Sequence, residues 1–270
     1  GSVCGSGMAS RELSTLGHER LNNPRLQLSR DAFIDAKVSE NHERPPYFRE
    51  MERLNAEGCT AFDPHAPPPL DSGDLDPQQA QLVDVRGVSD FCGAHVPGSL
   101  CIPEGMLASF AGWFLHHDRP IQLITRDVAQ AERAVRTLGR IGFDHVVGHH
   151  TGIVPFATSG RAFETLQVVD TDDVARLIEA DEPGTHLLDV RSIDEFESGH
   201  LDGAVHTYVG ELPKLQGSIA KGDRIVVMCG SGARATIGAS LLRAAGYRDV
   251  AVYLGSMQAW NAARRPLAAK

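Results

Sequence analysis

From about residue 80 onward, short apolar runs alternate with stretches that carry helix signals at their ends. The second half of the chain shows this most plainly. Val168-Val169-Asp170 opens it, and Thr171 or Asp172 caps a helix predicted over 174–180. Pro183-Gly184 breaks that helix. Residues 186–190 read as a strand, 204–206 as a short one, 225–228 as a central one and 249–254 as another. A helix over 233–245 ends at Gly246, the position that favours a left-handed glycine. Apolar runs without alternation, set between helices, predict a parallel sheet covered on both faces. The first sixty residues differ, with no alternation of strand and helix. Ser29 caps a short helix over 30–38, Pro45-Pro46 precedes a helix over 47–56 closed by Gly58, and 62–69 is a stiff proline-rich linker. This piece alone is too short to bury much of a core.

The pattern repeats. Leu82-Val83-Asp84-Val85-Arg86 matches Leu187-Leu188-Asp189-Val190-Arg191 at an offset of 105. At the same offset His95 falls on His200 and Gly98 on Gly203. Gly142-Phe143 matches Gly246-Tyr247 at an offset of 104. The chain is therefore expected to hold a tail at 1–62 and two modules at 63–163 and 164–270, each of ordinary small-domain size.

The chemistry concentrates where the central strand of the second module ends: Cys229-Gly230-Ser231-Gly232-Ala233-Arg234. Small residues here let successive backbone N–H groups turn inward, and the following helix adds the positive end of its dipole. Such a cradle favours negative charge on a sulfur at its centre. Cys229 is the candidate nucleophile, and the N–H groups of 230–234 are the candidate anion donors. Ser231 can offer a hydroxyl. Arg234 is placed either to bind a donor oxyanion or to pair with a nearby carboxylate. In the first module the same register puts Thr125 at the nucleophile position and Arg126-Asp127-Val128-Ala129-Gln130 in place of the loop. That module is expected to be silent, with Cys92 or Cys101 as the residues that could relay sulfur in another way. Cys4-Gly5-Ser6-Gly7 imitates the loop, but no apolar strand precedes it.

These residues resemble the rhodanese sulfurtransferases. Four residues separate Cys229 from Arg234, against five in cysteine phosphatases, which need a wider bowl. Glu195-Phe196-Glu197-Ser198-Gly199-His200-Leu201-Asp202-Gly203-Ala204 resembles a family signature. Tyr253-Leu254-Gly255-Ser256-Met257-Gln258-Ala259-Trp260 resembles its closing segment, with Ser256 replacing the second glycine. The resemblance implies an α/β fold of two rhodanese-like domains, each a parallel sheet flanked by helices, after a short and mostly helical tail. It implies that Asp189, Arg191 and His200 frame the loop, the first two as an ion pair and His200 as a structural residue. It further implies sulfane sulfur transfer from thiosulfate or a small persulfide to a thiol or cyanide. Residues 14–26 resemble the tail of a metallo-β-lactamase-fold domain of the kind fused to rhodanese modules in persulfide dioxygenases. That likeness implies a larger fusion in which this chain serves a metal-dependent domain it does not contain.

Composition narrows the partners. The formal net charge is −9, with no lysine or arginine run, which argues against nucleic acid. No apolar stretch has the length of a membrane span, and no signal peptide is visible. Five cysteines, an odd number without framework spacing, fit free thiols in the cytoplasm. Among the twelve histidines, His116-His117 and His149-His150 are adjacent and so diverge, which makes them poor joint ligands. No metal or cofactor is expected in this chain, with iron or zinc left to the parent domain.

Overall fold

The computed structural model describes residues 13–40, 44–58, 62–215 and 217–268. The loop mimic at Cys4–Gly7 lies outside the described residues. The chain divides into two units at Pro45 and Pro46. In the first, Ser29 caps the helix Arg30–Val38 as predicted, its hydroxyl accepting the Ala32 N–H. A further helix, Leu16–Asn22, is capped by Thr15. Neither helix buries a residue.

The second unit contains two parallel sheets. The first holds β1 (Gln81–Asp84), β2 (Leu100–Cys101), β3 (Ile121–Thr125) and β4 (Val146–Thr151) in the order β2-β1-β3-β4. The second holds β5 (Gln167–Val169), β6 (Thr185–Asp189), β7 (Val205–His206), β8 (Arg224–Met228) and β9 (Val250–Tyr253) in the order β5-β9-β8-β6-β7. Apolar side chains leave each central strand on both faces, as continuous apolar runs require. Leu82 and Ile124 join a small outer core with Leu75 and Phe156. Leu187, Val226 and Met228 join another with Val174 and Trp260. The alternate residues Val83, Leu123, Leu188 and Val227 all enter one core that runs through both modules.

The helix Ala233–Ala244 explains that shared core. Ala235, Thr236, Ile237, Gly238, Ala239, Ser240 and Leu242 are all buried, so it has almost no solvent face. Such a helix belongs in an interior. It packs on β8 and β9 of its own sheet and on β2 of the other. The Cys101 N–H donates to Ser240 Oγ at 3.0 Å, and Arg243 pairs with Glu164 at 2.7 Å.

Three expectations change. The helix Thr171–Ala180 is capped by Asp170, not by Thr171 or Asp172, because Asp170 and Asp173 form a reciprocal capping box. The proline-rich linker is not a free spacer. Pro69 bridges His149 beside β4, and His149 donates to the Pro68 carbonyl while accepting from the Leu70 N–H. The helix Phe48–Glu57 belongs to the second unit, not to a separate tail ending at 62. Tyr47 anchors it by burying its ring where Gly112 leaves no side chain.

Candidate active site

β8 delivers Cys229 to the carboxyl end of its sheet, where ligands sit in open α/β sheets. Cys229 is 1% exposed. The loop bends through Gly232, whose φ is +88°, and a Cβ there would lie 2.4 Å from the Leu254 carbonyl oxygen. Only glycine fits both demands. Gly232 is also the N-cap residue of Ala233–Ala244 and supplies no side-chain cap. Its N–H donates to Cys229 Sγ at 3.1 Å, which places the sulfur at the N-terminus of that helix.

The next helix orients the loop. The N–H groups of Met257 and Gln258 hold the carbonyls of Cys229 and Gly230 at 3.1 and 3.0 Å. In a trans peptide the N–H points opposite to the carbonyl. The N–H groups of Gly230 and Ser231 therefore point away from that helix, toward the open side of the loop. Ser231 is exposed at the rim, Gly230, Ala233 and Arg234 are half-buried, and Gly232 is buried.

Arg234 forms a bidentate pair with Glu195, its two terminal nitrogens donating at 2.6 and 2.7 Å. Glu195 is fixed in turn by a capping box with Ser192. The Arg234 hydrogen bonds hold the Glu195 carboxyl down to about 2, against an ordinary value of 4.5. The guanidinium thus spans the loop from behind Gly230, where a Cβ would come within 3.2 Å of it.

Asp189, Arg191 and His200 stand outside this arrangement. Asp189 and Arg191 are a buried, bidentate ion pair, and Arg191 also donates to the Gly199 carbonyl at 2.9 Å. His200 stacks on Phe196 at 3.9 Å and bonds its carbonyl through Nδ1. None of the three hydrogen-bonds the loop: Asp189 and Arg191 form the expected ion pair beside Met228, and His200 packs as a structural residue. The first module keeps the same set. Asp84 pairs with Arg86, Arg86 donates to the Ala94 carbonyl at 2.7 Å, and His95 stacks on Phe91 at 4.0 Å. A set that both modules keep is scaffold.

The first module differs at its own strand end. Thr125 is buried and its hydroxyl has no partner among the described residues. Asp127 caps the helix Val128–Gly139 by accepting the Gln130 N–H at 2.7 Å. The Gln130 amide fills the remaining space, accepting the Arg126 N–H and donating to the Val85 carbonyl. Cys92 and Cys101 lie in the core between the modules. Burial pushes the Cys92 thiol up and the Cys101 thiol well up, which disfavours the thiolate at both.

Sequence reasoning quoted Glu195 only as part of a motif and did not single out Ser192. The spacing Ser192-x-x-Glu195 is itself a capping-box signal that marks the pair. Trp113 had no signal. It reaches from the first module to Tyr208 with ring centroids 5.4 Å apart, and it packs on Gly210. Among the described residues no group of three His, Cys, Asp or Glu side chains could hold a metal. No described helix is long and apolar enough to cross a membrane.

Comparison with known proteins agrees with this geometry. The rhodanese-like domain family matches residues 71–158 and 170–263. A Bacillus subtilis protein, the candidate sulfur carrier YrkF, is 32% identical over 103 residues, which is 38% of this chain and 55% of that one. A second from Bacillus subtilis, the candidate sulfurtransferase YtwF, is 32% identical over 101 residues, 37% of this chain and 96% of that one. A metallo-β-lactamase structure from Staphylococcus aureus is 28% identical, with a TM-score of 0.45, over 52% of this chain and 40% of that one. The match thus spans only about half of YrkF but nearly all of YtwF. With two matched segments that together cover most of its length, the chain belongs to the rhodanese-like domain family.

Proposed function

We propose that this chain is a sulfurtransferase that carries sulfane sulfur on Cys229 as a persulfide. The observation that carries this reading is the helix N-terminus left uncapped at Gly232, with its N–H on Cys229 Sγ. The thiolate of Cys229 attacks the outer sulfur of thiosulfate or of a small persulfide. A bond from Sγ to that sulfur forms, the donor's sulfur–sulfur bond breaks, and its electron pair leaves on sulfite or on the donor thiolate. An acceptor thiolate or cyanide then attacks the outer sulfur, and the electron pair returns to Cys229. The N–H groups of Gly230, Ser231, Gly232, Ala233 and Arg234 stabilise the charge on the terminal sulfur. The Ser231 hydroxyl at the rim adds a donor, and Arg234 keeps the loop open by its pair with Glu195. The chemistry needs no cofactor of its own, and a free Cys229 thiol suits a reducing compartment such as the cytoplasm.

A second reading makes the module a non-catalytic carrier that docks on a metal-dependent domain outside this chain. It is favoured by the sulfur-carrier name of YrkF and by the resemblance of residues 14–26. One experiment separates the two. The purified chain and Cys229→Ser are incubated with thiosulfate, glutathione persulfide or polysulfide, and intact mass and thiocyanate formation are followed. A gain of one sulfur atom with turnover, both lost in the variant, supports the enzyme. Loading without turnover supports the carrier. No loading from any donor sinks both.

A further inference from the structure

The two modules end their central strands differently, and one residue accounts for the difference. In the first, the ladder between β3 and β4 continues through Thr125, which pairs with Thr151. In the second, the ladder between β8 and β9 stops at Val227 and Val252, two residues before Cys229. Cys229 is buried, so its N–H needs a partner that the ladder no longer supplies. Ser256 is that partner. Its hydroxyl accepts the Cys229 N–H at 3.0 Å, donates to the Tyr253 carbonyl at 2.7 Å, and lies 3.9 Å from Sγ.

The backbone of Ser256 gives no reason for a side chain there. Its φ is +48°, in the left-handed region that favours glycine, and it is fully buried. In the first module the chain leaves β4 through a glycine, Gly152, with φ +71°. A strained, buried serine beside the nucleophile, where a glycine would carry no strain, points to a role for its hydroxyl.

We propose that Ser256 is a positioning residue for Cys229. Its hydroxyl replaces the lost ladder bond, which lets Cys229 leave the sheet and turn Sγ toward the Gly232 N–H without stranding a buried backbone donor. The inference rests on Cys229 being the reactive atom of the site.

Ser256→Gly and Ser256→Ala test it together. Glycine removes the hydroxyl and also relieves the backbone, whereas alanine removes the hydroxyl and keeps the strain. Three quantities are measured on the full chain: the rate of iodoacetamide labelling at the Cys229 peptide, kcat and KM for thiosulfate-to-cyanide transfer, and the melting temperature. Losing one buried hydrogen bond at the nucleophile is expected to slow labelling and kcat by about fivefold to tenfold in both variants. KM stays within about twofold, and Ser256→Gly melts within a few degrees of the parent, because lost bond and relieved strain offset. A Ser256→Gly protein that labels and turns over like the parent overturns the proposal and leaves the sulfurtransferase reading intact. A parent that takes up no sulfur, beside variants whose labelling is still slowed, removes the sulfurtransferase reading and leaves Ser256 as the anchor of a reactive thiol.

Discussion

The two modules share a frame and part company at a single turn. Both keep a buried Asp–Arg pair, at the ends of β1 and β6, and a His stacked on a Phe four residues earlier. At the end of the central strand the first module closes its helix with its own anion, the Asp127 carboxylate. The second has Gly232 as its N-cap residue, with no side-chain cap, and the Gly232 N–H donates to Cys229 Sγ. A helix N-terminus attracts negative charge in either case. In the first module that charge is built in, and in the second, on the proposed function, a substrate brings it. The first module still contributes, since its β2 and the residues around Cys101 bury the helix that starts at the Cys229 loop.

The largest break in this comparison comes from Cys229→Ser. Sulfur uptake and thiocyanate output are expected to vanish, and a variant that still gains sulfur would place the carrier elsewhere. Gly232→Ala comes next, since it forces a Cβ against the Leu254 carbonyl at a φ of +88°. A stability loss of about 1–3 kcal/mol in denaturant melts and a loss of turnover of about a hundredfold are expected. An equally stable, active Gly232→Ala would show that the turn is not the constraint.

Glu195→Gln should weaken turnover by about tenfold, because it takes the charged partner from Arg234 behind the loop. It also has a pH signature. A carboxyl held at about 2 when folded, against 4.5 otherwise, stabilises the fold fully above about pH 4.5. That contribution drains as pH falls toward 2. The parent should therefore lose stability over this interval by an increment that Glu195→Gln lacks, which acid melts of the two proteins compare directly. The smallest effect is a predicted silence. Thr125→Cys alone should take up no sulfur, since Asp127 still caps the helix. Labelling at the new cysteine should rise only when Asp127→Gly is added, and a reactive single variant would refute the account of why the first module is inert.

Much of this was legible in the chain. The offset of 104 to 105 residues exposed two modules, and the apolar runs placed the strands of the second module to within a residue or two, while β2 and β4 of the first went unpredicted. Gly246 ends its helix region with φ +88°, as its position required. Where the reading slipped, a neighbour in space or in the first turn had won. Asp170 outcompeted Thr171 and Asp172 as a cap because Asp173 could answer it. The proline-rich stretch docked because His149 offered it a hydrogen-bonding edge. The helix Leu16–Asn22, capped by Thr15, went unread although Thr15 precedes Glu19 in a short polar stretch.

The sequence by itself determined the repeat, the parallel α/β architecture, and the strand-end position of Cys229 with the glycines of its loop. Those features rest on periodicity and turn chemistry, which act between residues a few positions apart. Tertiary structure alone decided that Arg234 faces Glu195, 39 residues away, and that Ser256 takes the Cys229 N–H across 27. It also decided that one helix is buried between two sheets. These contacts depend on the path of the whole chain, and each must satisfy a buried charge or donor that no local pattern specifies.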